Sequence, residues 1–337
     1  MTDDSSWITA SAPARIDLAG GTLDLWPLHV LHPGSVTVNL AINRRASCRV
    51  RPSKGAWLVR SVESGLERRA RRGAELLEDP ATALVGSLVQ AFEIEEPLEI
   101  ELSSGVPFGS GLGGSSALTV AAAGALERFA PARPEPADPV AFVRDVETRV
   151  LGKPAGVQDY YPPLEGGLHR LWFEPGCTRC EREEVDADEW SRHLTLFDTG
   201  ASHSSGMNNW EIFRTRLEGD RAVTERLEGV RLAAVAMAAA AAARDFAAMG
   251  KALGEEWDAR RRLAPVVTTP LIDRAVACAR EAGAWSGKAC GAGGGGCVVF
   301  LSPAGRTEGV RRALARLGEG AVMPVRAENR GRIVSEA

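Results

Sequence analysis

A run of glycine and serine that passes without a break into an alanine-rich segment constrains this chain more than any other feature. It reads Pro107-Phe-Gly-Ser-Gly-Leu-Gly-Gly-Ser-Ser116, and residues 117–130 that follow are rich in Ala and Leu. The glycines let backbone approach an anion closely, and the strong helix formers behind them predict a helix whose N-terminus lies among the serines. Free N–H groups and partial positive charge at such a start are suited to phosphate. Ser115 and Ser116 fall in its first turn, where a hydroxyl can cap the helix, bind phosphate or reach a metal ion. A glycine turn with a serine cap is the purely structural alternative.

Gly109-Ser-Gly111-Leu-Gly-Gly114 also fits the G-x-G-x-x-G dinucleotide fingerprint. That reading needs a strand leading directly into the loop and a carboxylate about twenty residues on, after a second parallel strand. Pro107 interrupts the lead-in from a strand at 98–102, and nothing after residue 130 reads as the second strand, so nicotinamide binding is set aside.

The pattern along the rest of the chain predicts strands at 14–19, 35–51 and 98–102 and a helix at 80–92. Asp138-Pro139 opens another helix, with Asp as N-cap and Pro at the first position, running to about 151 before Gly152. A loop from 158 leads into a strand at 168–173. The polar stretch 174–192 marks the expected domain boundary, giving domains 1–185 and 186–337. Beyond it come a strand at 194–198, long helices at 209–262, a helix at 270–282, a strand at 297–301, a helix at 306–317 and a strand or hairpin at 322–334. Helices and strands mix without a strict βαβ rhythm, which predicts an α+β fold.

Two further segments carry glycine. Gly291-Ala-Gly-Gly-Gly-Gly296 precedes a strand, the reverse of a loop that feeds a helix. So many glycines lose much entropy on ordering, so close approach to a ligand is the expected reason for them. Near the N-terminus lies Ala12-Pro-Ala-Arg-Ile-Asp-Leu-Ala-Gly-Gly-Thr-Leu-Asp24. Gly283-Ala-Trp-Ser-Gly-Lys288 is too short for a P-loop, and Ala289 stands where Ser or Thr is needed.

In this order the three segments resemble the signatures of the GHMP kinases, and the resemblance spans nearly the whole chain. It is greatest to the sugar kinases around heptose 7-phosphate kinase, and to galactokinase-like enzymes, at Gly20-Gly-Thr-Leu-Asp24, Gly156-Val-Gln-Asp159-Tyr160 and Gly166-Gly167-Leu168. It implies a two-domain fold, with a ribosomal-S5-like N-terminal domain and a ferredoxin-like C-terminal one, and transfer of the γ-phosphate of Mg·ATP to a hydroxyl, anomeric in those relatives.

The resemblance also implies roles for single residues. Triphosphate would lie along Gly109, Ser110, Gly111, Gly113, Gly114, Ser115 and Ser116. Ser116 and Glu147 would hold Mg²⁺, which takes oxygen ligands and keeps several waters. Asp159 would accept the proton of the attacking hydroxyl, and Arg15 beside it would favour the ionised carboxylate and offset charge on the moving phosphoryl group. Gly21, Asp24, Tyr160, His203, Gly293 and Gly294 would line the substrate, with Asp24 on sugar hydroxyls. Gly-Thr-Leu-Asp here replaces the family's Gly-Gly-Thr-Asp. A non-sugar alcohol of the mevalonate or homoserine type, and a GHMP-fold sensor without catalysis, are the alternatives.

Composition adds exclusions. A formal net charge of -4 gives no basic footprint for nucleic acid. The alanine run at 233–243 is too short to span a bilayer and is flanked by Arg231 and Arg244, and the first residues lack a signal-peptide pattern. A cytoplasmic monomer or homodimer is expected. Cys177-Thr-Arg-Cys180 has the spacing of half a zinc knuckle with no second Cys-x-x-Cys, so a surface hairpin with two free thiols is the plainer reading.

Overall fold

The computed structural model describes residues 6–131, 137–201 and 205–336. Its strands are β1 (Ile8–Ala19), β2 (Val36–Pro52), β3 (Trp57–Ser61), β4 (Leu66–Ala70), β5 (Leu98–Ser103), β6 (Leu168–Glu174), β7 (Cys177–Glu183), β8 (Leu194–Asp198), β9 (Ser286–Ala289), β10 (Cys297–Leu301), β11 (Ala321–Met323) and β12 (Ile333–Glu336). The α-helices are α1 (Leu28–Leu31), α2 (Ala83–Ala91), α3 (Gly114–Leu126), α4 (Pro139–Leu151), α5 (Tyr161–Glu165), α6 (Ala187–Ser191), α7 (Ser205–Leu217), α8 (Arg221–Ala242), α9 (Phe246–Arg260), α10 (Pro270–Glu281) and α11 (Thr307–Ala315).

Local chemistry fixes many of these bounds. Asp138 caps α4 by accepting from the Ala141 amide, and Gly152 ends it in the left-handed conformation. Asp220 and Asp245 cap α8 and α9 in the same way, which divides the expected long helical region.

The first sheet runs β12-β1-β2-β5-β3-β4. β2 is 17 residues long. Along the edge away from β1, residues 36–40 pair with β6 and residues 47–52 with β5. A register shift between Pro13 and Ala14 interrupts the alternation of β1. Ala10 and Ala12 join the core beneath α3, whereas Ala14, Ile16 and Leu18 join the core that includes Ala234 and Met237 of α8. Arg15 and Asp17, two apart, then share the face opposite to Ile16.

The second sheet runs β11-β8-β10-β9 with every pair antiparallel. Numbered within that half it is the order 4-1-3-2 of a ferredoxin-like βαββαβ unit. Helices α8 and α9 lie between the two sheets, with α9 touching β1 on one side and β9 and β10 on the other.

One sequence expectation changes. The segment expected as a strand or hairpin at 322–334 splits between sheets: β11 pairs β8, β12 pairs β1, and the chain between them bridges Ile42 at Ala327. The polar stretch 174–192 contains β7, an edge strand of the first sheet whose alternating charges suit an exposed edge.

Candidate active site

The glycine-serine run folds as a turn closed by Ser110 N–H on the Pro107 carbonyl, with Gly109 inside the turn and Gly111 and Gly113 after it, all three at positive φ. Gly113 occupies the N-cap of α3 and no side chain caps that helix, so its first amides face the loop. Ser115 is exposed and Ser116 buried. Two other segments hold the loop. From β1, Arg15 donates its backbone N–H to Leu112 and its Nη1 to the Gly111 carbonyl at 2.6 Å. From β10, Cys297 N–H donates to the Ser110 carbonyl at 2.8 Å. A Cβ on Gly296 would stand 2.6 Å from that same oxygen, so glycine is required where the third segment backs onto the second.

Arg15 is buried and its guanidinium donates to one oxygen of Asp159, from Nε at 2.9 Å and Nη2 at 2.7 Å. Burial opposes the arginine's charge, but Asp159 and Asp17 outweigh it and raise its pKa. The Asp159 side chain remains 32% accessible, which leaves the carboxylate open to the cleft.

Asp24 lies next to this pair. It accepts the Gln158 amide at 3.1 Å, and burial together with the charge of Asp159 pushes its pKa up to about 7. A Cβ on Gly156 would overlap its carboxylate at 1.8 Å, so only glycine fits there. Gly21 is pinned by Arg260, which donates to its carbonyl at 2.6 Å.

Glu147 of α4 is buried beneath the start of α3. Ser116 Oγ and Tyr160 OH donate to the same carboxylate oxygen at 2.8 and 2.7 Å. Burial raises the Glu147 pKa against those hydrogen bonds. Tyr160, expected at the substrate, is held in this cluster. Its side chain is 1% exposed and its hydroxyl donates to Glu147, so it turns toward that carboxylate and away from the open face of Asp159.

Gly293 and Gly294, also expected at the substrate, pack on the segment before α10. Gly294 N–H donates to the Val267 carbonyl at 2.8 Å, and a Cβ on Gly293 would stand 2.1 Å from that oxygen. This docks the third loop on the segment before α10. His203, expected at the substrate, lies outside the described residues.

Sequence reasoning missed a buried charge network that joins the two sheets. Lys288 Nζ on β9 donates to Asp17 on β1 at 3.2 Å and to Glu256 on α9 at 3.1 Å. Arg260, one turn after Glu256, pairs with it at 2.7 Å and reaches Gly21 and Thr22. All four side chains are essentially inaccessible. Burial works against the ionised Asp17, and Lys288, Arg260 and Arg15 overcome it and lower its pKa. Two signals were available: Asp17 follows Arg15 at strand spacing, and Glu256 and Arg260 are an i,i+4 pair.

The first and third signature segments thus converge on the glycine-serine loop, with Asp159 and a hydroxyl–carboxylate pair beside it. Residues 80–167 match the GHMP kinases N terminal domain and residues 237–320 the GHMP kinases C terminal domain. The chain belongs to the GHMP kinases. As a GHMP kinase it is a phosphotransferase acting on a hydroxyl group, and the family uses ATP.

Its relatives include the D-glycero-alpha-D-manno-heptose 7-phosphate kinase of Campylobacter jejuni, 26% identical over 308 residues, covering 87% of this chain and 89% of that protein. The mevalonate kinase of Methanothermobacter thermautotrophicus is 28% identical over 312 residues, covering 91% and 94%. Among solved structures, a D-glycero-D-manno-heptose 1-phosphate kinase from Bacteroides thetaiotaomicron shares the fold with a TM-score of 0.75 at 22% identity, over 97% of this chain and 98% of that one. No helix among the described residues is long and apolar enough to cross a membrane.

Proposed function

We propose that this GHMP kinase transfers the γ-phosphoryl group of ATP to a hydroxyl of a sugar or sugar phosphate, with the anomeric hydroxyl as the first candidate. The observation that carries the choice of a sugar is Asp24. It is a buried carboxylate beside Asp159, where a polyhydroxylated acceptor can donate to it. The heptose 7-phosphate kinase relative supports the same substrate class. Trp26, two residues on, is 72% exposed and offers an aromatic face to a sugar ring.

Phosphoryl transfer depends mainly on positioning and charge stabilisation. The amides of Gly114 and Ser115 at the start of α3 would hold the triphosphate, and the loop glycines let it approach. Arg15, fixed on the Gly111 carbonyl, would offset charge that develops on the transferring group. Both Arg15 contacts fall on Asp159 Oδ1, so Oδ2 is the oxygen to receive the acceptor's proton.

Ser116 and Glu147 offer a hydroxyl and a carboxylate side by side, an oxygen-only donor set that fits Mg²⁺. The ion, when bound, would neutralise phosphate charge. A carboxylate that burial pushes toward its neutral form gains most from a cation.

ADP release from Mg·ATP, measured with free and phosphorylated sugars and with mevalonate and homoserine, tests this reading. Turnover with a sugar or sugar phosphate and none with mevalonate is the expected result. Turnover with mevalonate alone would overturn the sugar assignment.

A further inference from the structure

Away from the cleft, a carboxylate, an imidazole and a thiol meet on three neighbouring elements. Glu165 ends α5, His169 lies on β6 and Cys180 on β7, and their donor atoms all fall within 4.8 Å of one another. The hairpin register sets Cys180 opposite Leu171 and Arg182 opposite His169. His169 and Cys180 are therefore diagonal neighbours on one face of the hairpin. Glu165 Oε2 lies 3.2 Å from His169 Nε2 and 4.0 Å from Cys180 Sγ.

These separations approach those a tetrahedral ion demands. Bonds of about 2.0–2.3 Å place neighbouring donors roughly 3.3–3.5 Å apart. The Glu165–Cys180 separation of 4.0 Å exceeds that spacing, so binding would draw the thiol inward. The neighbouring cation does not compete for the carboxylate: Arg182 donates to the backbone carbonyls of Glu165, Gly166 and Asn329. His169 is fully buried, and its Nδ1 has no partner among the described residues. The ring nitrogen that faces the Glu165 carboxylate is Nε2, and a neutral imidazole nitrogen is a ligand that Zn²⁺ accepts.

We propose that Glu165, His169 and Cys180 form a three-ligand site for Zn²⁺, separate from the phosphoryl-transfer site, with a fourth position open to water. One thiolate, one imidazole and one carboxylate suit a borderline-soft ion and disfavour Mg²⁺. Binding releases the thiol proton. The ion ties the end of α5 to the β6–β7 hairpin, and α5 starts directly after Asp159 and Tyr160. It thereby stiffens the segment that carries the catalytic carboxylate.

Cys177 has no part in this site. It is three residues from Cys180, hence on the opposite face of β7, and is exposed. The Cys-x-x-Cys spacing in the sequence is incidental, and the second ligand comes from across the hairpin.

Co²⁺ serves as the probe, titrated into the full chain and followed by thiolate-to-cobalt charge-transfer absorption. The expected result is saturation at one ion per chain, displacement by Zn²⁺, full retention in Cys177→Ser and loss in Cys180→Ser. Glu165→Gln should weaken binding by more than about 100-fold, beyond what loss of an outer-shell contact gives. Zn²⁺ should also raise the melting temperature of the wild type and of Cys177→Ser but not of Cys180→Ser. The absence of a charge-transfer band in the wild type, or a band abolished by Cys177→Ser and kept in Cys180→Ser, overturns the proposal.

Discussion

Arg15 grips Asp159 with two N–H groups on a single carboxylate oxygen while its third nitrogen holds the Gly111 carbonyl of the phosphate loop. One side chain thereby fixes the spacing between the carboxylate proposed to take a proton and the loop proposed to carry phosphate. A lysine has one charged nitrogen and no planar fork, so it cannot maintain both contacts. Arg15→Lys should lower kcat by about 10²–10³, the range for losing one preorganised charge-stabilising donor. Steady-state kinetics at saturating ATP check this, and a kcat within a few-fold of wild type would break the proposed link.

Asp24 gives a pH-dependent prediction with two opposed readouts. Its ordinary value is 3.8 and its folded value about 7, raised first by burial and then by Asp159. Between those values the folded chain binds more protons at this site than the unfolded chain, so its contribution to stability falls as pH rises through that window. Asp24→Asn should therefore raise the melting temperature at pH 8 and leave it nearly unchanged at pH 4. The same change should raise KM for the sugar by roughly 10–100-fold, the loss of a hydrogen bond to a charged acceptor. In the wild type, KM should fall as pH rises through about 7. A stabilised variant with unchanged KM would remove Asp24 from the substrate site.

Tyr160 separates positioning from substrate contact. Tyr160→Phe deletes the hydroxyl that donates to Glu147. It should raise the Mg²⁺ concentration needed for half-maximal activity and leave the sugar KM within about two-fold, since its side chain is buried. Ser116→Ala and Glu147→Gln should shift the Mg²⁺ dependence further, and calorimetry should show weaker Mg²⁺-dependent ATP binding in both. A rise in sugar KM with unaltered Mg²⁺ response in Tyr160→Phe would restore the substrate role.

How much of this was legible in the sequence follows from where each signal resides. The glycine-serine loop, Arg15 and Asp159, which the structure brings together, stand out in the sequence because short consecutive runs carry them. Tyr160 misleads because it neighbours Asp159 in the chain, yet the entry into α5 turns the two side chains apart, one to the cleft and one to the core. The network of Asp17, Glu256, Arg260 and Lys288 was hidden for the opposite reason. Its members span most of the chain, and each reads alone as an ordinary strand or helix charge. Only packing of α9 between two sheets shows that they meet. Likewise β11 and β12 fall within one stretch that reads as a single strand or hairpin, and only strand pairing assigns them to different sheets.

Lys288 should be the most sensitive residue for stability outside the apolar core. Removing it leaves Asp17 and Glu256 buried without their shared cation, and breaking a buried pair costs about 3–5 kcal/mol. Lys288→Met should lower the denaturant midpoint accordingly. Lys288→Met with Glu256→Gln should be less damaging than the sum of the single changes, because the neutral amide relieves one stranded charge. Strict additivity in that cycle would show that the two do not act together.

The most direct test of the account is the turnover of Asp159→Asn with its best sugar acceptor, with ATP affinity measured on the same preparation. The account predicts kcat lower by about 10²–10⁴, the range for losing a general base, with ATP affinity within a few-fold of wild type. Near-normal turnover in that variant would contradict the assignment of Asp159 as the group that accepts the proton.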